Sequence, residues 1–392
     1  MRITGESARG GSPRRGGTTG RRRRVAGLGA LALLVAAATA TIWVPSPSAP
    51  AAAAPGPGTP AEGLRLGYFA NATHAPALVG LQKGYLKDRL AADGTTLSTQ
   101  VFNAGPAAVE ALNAGAIDAA YLGPNPAISS FAASGGRSLR VVAGATSGGA
   151  QLVVRHGIDS PADLRGTTLA SPQLGGTQDV ALRGWLADQG YAVDTDGGGD
   201  VAINPTGNAQ TLDLFAAGRI DGAWLPEPWA SRLVLEAGAQ VLVDERDLWD
   251  GSLAGTAGQF PTTILVVDAD YAAEHPQTVK DLVAGHADAV TWLNDAGEAQ
   301  KLDTINAGLE DSAGAELPRK VLARALKTTE FTTDPLAGDF EILLEGGVAA
   351  GTTEPADLTG LFDLDALNSL PGTHVDDAGL GTATATPNGG EQ

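Results

Sequence analysis

The sequence predicts an α/β protein built as two similar lobes around a central cleft. Three observations carry this reading. The first is an internal repeat. AGAIDAAYLGPNP at residues 114–126 recurs as AGRIDGAWLPEP at 217–228, with Gly115 on Gly218, Ile117 on Ile220, Asp118 on Asp221 and Leu122 on Leu225. Each copy follows an apolar helical run (107–113 and 209–216) and leads into another (127–134 and 229–237). The unit therefore reads helix, glycine stop, short strand, proline-containing turn, helix, and its double use implies two related lobes. The second observation is the alternation of short apolar strands with helical patterns from residue 64 onward, the pattern of lobes with largely parallel sheets. The third is that this alternation stops near Val267 while the helices beyond it still need a sheet to cover. The chain is therefore expected to enter one lobe, cross to the other and return, with crossings near residues 151–155 and 260–266 forming a two-strand hinge.

In chain order, residues 64–69 form the first strand. A loop with Asn71, Thr73 and His74 follows, and Pro76 suits the first turn of a helix running to about Ala91. Residues 97–102 form the second strand, and the first repeat unit comes next. Strands at 139–145 and 151–155 flank Thr146-Ser147-Gly148-Gly149. A strand at 168–170, a glycine loop at 173–177 and an amphipathic helix at 178–189 closed by Gly190 lead to a strand at 201–204 and the second repeat. Strands at 240–243 and 262–267 precede helices at 276–294, 298–309, 318–327 and 336–349. Freed backbone N–H groups at the helix starts after each strand can face a ligand there, and the helix dipole favours an anion. A cleft at the strand ends is where open α/β sheets bind ligands.

The two ends read differently from the body. Residues 1–24 hold eight Arg and one acid, Glu6, and residues 25–44 carry no charge. A basic stretch before an apolar one is an export signal. Its paired arginines after Thr18-Thr19-Gly20 loosely match a twin-arginine signal. Cleavage is expected at 38–40 or within 51–54, and the apolar run is also long enough to serve as an uncleaved anchor. The sequence contains no Cys, which excludes disulfides, thiolate catalysis and cysteine metal sites. Beyond residue 54 the chain holds 18 basic and 43 acidic residues, a net of −25. Such a body should not bind nucleic acid or anionic lipid, and any anion it captures must be held by local dipoles against the global field. The expected organisation is residues 1–54 as export signal or N-terminal anchor, 55–63 as linker, 64–150 as the first part of lobe 1 and 151–260 as lobe 2. Residues 261–372 are expected to return to lobe 1 with the C-terminal helices, and 373–392 to form a disordered tail rich in Gly, Thr and Ala.

The export signal, LRLGYFANATHAPALVGLQKGYL, SPQLGGTQDVALRGWL and WLPEPWASRLV together resemble the substrate-binding proteins of ABC importers, in the aliphatic sulfonate, taurine and nitrate group. The likeness runs from Leu64 to Leu344. It implies a two-lobed periplasmic-binding-protein-like fold of the second type, closing on a small oxyanion-bearing ligand. It also implies an extracytoplasmic, monomeric carrier that delivers an anionic or zwitterionic small molecule to an ABC permease, without cofactor, metal or catalysis.

Four loops are expected to converge on the cleft. The first offers Thr73 and His74, the place of the family's first ligand loop. The second is Gly123-Pro124-Asn125; proline has no N–H, so Gly123 and Asn125 are its donors. The third is Gly175-Gly176-Thr177-Gln178-Asp179. There glycine permits close backbone approach, and the Thr177 hydroxyl and the amides of Thr177 and Gln178 stand at a helix start. The fourth is Pro226-Glu227-Pro228-Trp229. A carboxylate in an anion cleft is costly at close range, about 1–4 kcal/mol, so a ligand-facing Glu227 would hold an ammonium or hydroxyl, as in an aminosulfonate. Tyr68, Phe69, Trp224 and Trp229 could wall an alkyl chain, although the strand position of Trp224 suits core packing. The remaining histidines, 156, 275, 286 and 374, show no metal spacing, and neither a Gly-Lys-Ser/Thr phosphate loop nor a G-x-S-x-G elbow is present. Alternatives within the same resemblance are nitrate, bicarbonate or a thiamine-precursor ligand, and an enzyme on the same two-lobed fold.

Overall fold

Short strands ending in glycine or proline feed directly into helices throughout the chain, and this punctuation sets the architecture. The computed structural model describes residues 58–252 and 254–382, all within the unit Ala54–Gln392. The first pass through lobe 1 comprises β1 (Gly63–Phe69), α1 (Ala75–Gln82), α2 (Tyr85–Ala92), β2 (Thr96–Phe102), α3 (Gly105–Asn113), β3 (Ala119–Leu122), α4 (Pro124–Ser134) and β4 (Leu139–Gly148). Lobe 2 holds β5 (Ala150–Val154), β6 (Thr168–Ser171), α5 (Thr177–Asp188), β7 (Ala202–Pro205), α6 (Asn208–Ala216), β8 (Gly222–Pro226), α7 (Trp229–Ala237) and β9 (Gln240–Asp244). The return brings β10 (Pro261–Asp268), α8 (Ala269–Glu274), α9 (Pro276–Asp295), α10 (Glu298–Ala313), α11 (Arg319–Ala325), β11 (Thr329–Phe331), α12 (Phe340–Ala349) and α13 (Asp365–Asn368).

The strands form a six-stranded sheet, β11-β4-β10-β3-β1-β2, and a five-stranded sheet, β7-β6-β8-β5-β9. In lobe 1, β1 pairs parallel with β2 and β3, and in lobe 2, β6 pairs parallel with β7 and β8. The strands that carry the chain between lobes run antiparallel to their neighbours: β10 against β3 and β4, and β5 against β8 and β9. The sheets are therefore mixed rather than largely parallel, because a strand that arrives from the other lobe enters in the opposite direction. The outward crossing is shorter than the sequence suggests. Gly148 and Gly149, with φ of 73° and 76°, turn β4 straight into β5.

The repeat holds element by element: α3 matches α6, β3 matches β8 and α4 matches α7. Both copies stop the first helix at a left-handed glycine, Gly115 (φ 66°) and Gly218 (φ 69°), and the second at Gly135 and Gly238. The expected long first helix is instead two, α1 and α2, divided at Gly84 with φ 77°. Packed chain continues past residue 373. Val375 and Leu380 are buried against the lobe 1 core, and residues 362 and 381 form a bridge. Apolar burial there overrides a composition that reads as loose. Residues 1–57, 253 and 383–392, with the expected export signal and the first three residues of the linker, lie outside the described residues. Among the described residues no helix is long and apolar enough to cross a membrane.

Candidate functional site

The carboxyl ends of the three parallel strands in each sheet point at one cavity between the lobes. Lobe 1 contributes Phe69 at the end of β1, Asn103 to Gly105 after β2 and Gly123 after β3; lobe 2 contributes Pro172 and Gln173 after β6, Asn208 after β7 and Pro226 at the end of β8. Thr262 and Thr263 of β10 close its floor. This is the position that open α/β sheets reserve for ligands. The cavity measures about 40 Å³, room for roughly three waters. Helices α1, α3, α4, α5 and α6 all begin at these strand ends, so their positive dipole ends converge.

Six of the residues singled out in the sequence line this cavity: Thr73, His74, Gly123, Gly176, Thr177 and Gln178. His74 is buried and stacks on Phe69, with ring centroids 4.2 Å apart. Its Nδ1 accepts the Phe69 N–H at 3.2 Å, and burial lowers its pKa to about 3. The ring is therefore neutral at physiological pH and carries its proton on Nε2, which is left as a donor. The Thr73 N–H donates to the Glu227 carbonyl at 3.4 Å, and the Thr73 carbonyl accepts the Thr146 hydroxyl at 2.6 Å, fixing the loop across the lobes.

The start of α5 is the strongest donor array. Gly176 caps the helix and Thr177 and Gln178 open it, with no proline to remove an N–H. The Thr177 Oγ1 is buried without a hydrogen-bond partner, and so is the Asn208 Oδ1 at the start of α6. A buried polar atom left unpaired costs about 1–3 kcal/mol; the Thr177 hydroxyl can donate to a bound anion, whereas the Asn208 Oδ1 only accepts and calls for a donor. A Cβ placed on Gly123 would lie 2.3 Å from the Thr177 Oγ1, so the lobes meet there at a distance only glycine allows. Asp179, in the first turn of α5, turns its carboxylate back to the Gly175 N–H (3.0 Å), the Ser171 hydroxyl (2.5 Å) and the buried Arg183 (2.9 Å). Its charge is thereby neutralised inside the lobe. No Asp, Glu, Lys or Arg lines the cavity among the described residues.

Asn125 and Glu227 do not line it. Asn125 is buried in the first turn of α4 and its Nδ2 donates to the Leu343 carbonyl of α12 at 2.8 Å, because α12 packs on the side of α4 that this residue faces. Glu227 is fully buried behind the cavity wall. Its Oε2 accepts the Ser231 N–H at 3.0 Å, its Oε1 accepts the Ser231 hydroxyl at 2.9 Å, and Arg324 of α11 lies at 3.1 Å. Burial pushes its pKa up, while Ser231 and Arg324 pull it back. The carboxylate fills the start of α7 from within, so no ligand ammonium is needed to compensate it. Trp224 is core: fully buried, edge-on to Trp185 at 5.9 Å.

Asn71, Asn103, Gln173, Asn208, Thr262 and Thr263 also line the cavity and were not anticipated as ligand contacts. The repeat could have found Asn208. Counted back from the paired glycines, it opens α6 just as Gly105 opens α3. Treating the end of every parallel strand as a candidate would have added the loops after β2 and β7 to the expected four.

A family model described as the NMT1-like family matches residues 58–306. The chain belongs to the NMT1-like family. A binding protein of Brucella abortus (strain 2308) is 26% identical over 227 residues, covering 56% of this chain and 64% of that protein, so the chain spans less than two thirds of the length of this relative. The taurine-binding periplasmic protein of Escherichia coli (strain K12) is 25% identical over 260 residues, covering 62% and 73%. Among solved structures, the alkanesulfonate-binding protein of Xanthomonas axonopodis pv. citri bound to MOPS superposes with a TM-score of 0.61 at 23% identity, covering 76% of this chain and 96% of that one. The NMT1-like chain thus has the two-lobed periplasmic binding protein fold.

Proposed function

We propose that this NMT1-like chain is the extracytoplasmic solute-binding protein of an ABC importer. It captures a small oxyanion-bearing solute, an aliphatic sulfonate or taurine, and presents it to a membrane permease without making or breaking a bond. The observation that carries the reading is the unpartnered Thr177 hydroxyl at the open start of α5, in a cavity ringed by helix N-termini and lacking charged side chains. Neutral donors and dipoles suit a monoanion held against an acidic body. The names of the taurine- and alkanesulfonate-binding proteins support the same ligand class. With Glu227 consumed by Ser231 and Arg324, no carboxylate awaits an ammonium, which favours an aliphatic sulfonate over taurine.

A second reading, nitrate, is favoured by one observation: a cavity of about 40 Å³ suits a four-atom anion. Calorimetric titration of the exported body with ethanesulfonate, taurine, nitrate and bicarbonate separates these. The sulfonate reading expects ethanesulfonate to bind most tightly and Thr177→Val to weaken it. Tighter binding of nitrate would install the second reading, and no heat with any anion would end both.

A further inference from the structure

The inner cavity, about 40 Å³, is too small for the chain of a long alkanesulfonate, and residues it shares with a second, larger space mark a way outward. A groove of about 660 Å³ shares Asn71, Asn103 and Asn208 with the inner cavity. Its walls come from both lobes and are largely apolar: Val101, Phe102, Leu309, Leu317 and Pro318 from lobe 1, and Trp229 from lobe 2. Val101, on the edge strand β2, is 40% exposed. The Trp229 ring is pinned as a wall rather than free. Its Nε1–H donates to the Asn71 Oδ1 across the cleft at 2.8 Å, and the Arg232 guanidinium lies 4.9 Å from its ring centroid. Arg232 is itself paired with Glu236 at 3.0 Å.

From this we infer that the groove is a tail subsite: the protein selects monoanions that carry an apolar chain, with the oxyanion in the inner cavity and the chain running past the three asparagines onto Trp229 and Val101. The inference rests on the oxyanion reading of the inner cavity. A bare anion such as nitrate fills only the inner space and leaves the apolar groove in water. A chain laid along it removes apolar surface from water on both sides, worth about two- to fourfold in affinity per methylene depending on how much of each is covered.

The test is calorimetry of the full chain with methane-, propane-, hexane- and octanesulfonate. Affinity is expected to climb about two- to fourfold per methylene from methane to hexane and then level off. Val101→Asn, on an exposed strand position, is expected to flatten that climb, measured within the variant against its own methanesulfonate affinity. Leu317→Asn serves the same purpose if Val101→Asn lowers the melting temperature. If methanesulfonate binds and affinity is flat or falls with chain length, the tail subsite is overturned while the oxyanion site stands. A climb that survives both substitutions also overturns it, since the chain then lies elsewhere. If no sulfonate of any length binds the folded protein, the sulfonate reading fails and the tail subsite falls with it.

Discussion

The two lobes use the same helix–strand–helix unit, yet the turns that face the cleft have opposite fates. In lobe 1 the strand ends at Gly123, whose missing side chain lets the Thr177 hydroxyl approach from the other lobe. Pro124 and Pro126 then strip two N–H groups from the first turn of α4. At the matching place in lobe 2 stands Glu227, whose carboxylate bonds the Ser231 N–H and so occupies the start of α7 from inside. The pattern extends to the neighbouring helices. Those of lobe 1 that begin at the cavity, α1, α3 and α4, carry proline in the first two positions, whereas α5 and α6 of lobe 2 do not. Lobe 2 therefore keeps the N–H groups at the starts of α5 and α6 free of proline, while lobe 1 brings the neutral imidazole of His74 to the cavity. A repeated fold unit predicts where a site can be; its helix starts, open, stripped of N–H groups by proline or filled from within, differ between the copies.

The largest expected effect tests the self-filled start. Glu227→Ala leaves Arg324 without its buried partner and should lower unfolding stability by about 3–5 kcal/mol, with sulfonate affinity of the folded protein changed only a few-fold. Urea titration and calorimetry on one sample check this, and a large affinity loss without destabilisation would return Glu227 to the ligand. Next comes closure: Gly123→Val should weaken binding roughly a hundredfold, the upper end of an overpacking penalty. Its melting temperature should stay near the parent's, because an open cleft relieves the clash; tight binding would show that the lobes need not meet there. Thr177→Val should weaken binding roughly tenfold or more, as for a lost hydrogen bond to a charged group, and equal affinity would move the head group away from α5.

The smallest expected effect is on pH. With the His74 pKa lowered to about 3 by burial, affinity should stay flat from pH 8 to pH 5.5, since the Nε2–H donor is present throughout. A rise below pH 6.5 would mean that the ring binds as a cation. The sign for folding is the reverse of a gain. The unfolded chain takes up a proton near pH 6.5 that the folded ring refuses, so this group erodes stability as pH falls from 6.5 toward 3.

Much of this was legible in the chain. The repeat, the α/β alternation, the crossing and return, and six of eight anticipated cavity residues follow from periodicity, glycine and proline placement, and the family likeness. Asn125 and Glu227 lie off the cavity for one shared reason. A residue's position in a turn sets the loop it belongs to, but its side chain is claimed by whatever packs beside it, here Leu343 of α12 and Arg324 of α11, each far away in sequence. Asn103 and Asn208 were missed because their loops carry no glycine-rich signature, only a place at the end of a parallel strand.

By itself the sequence determined the two-lobed plan, since hydrophobic period and backbone punctuation are local properties written residue by residue. It also set the expectation that an anion is held by neutral donors, because the body carries a net charge of −25. Only the tertiary structure decided which helix starts remain open, how small the inner cavity is, and that an apolar groove continues from it. These depend on which distant side chains arrive at each turn, and on how closely two lobes can approach through a single glycine.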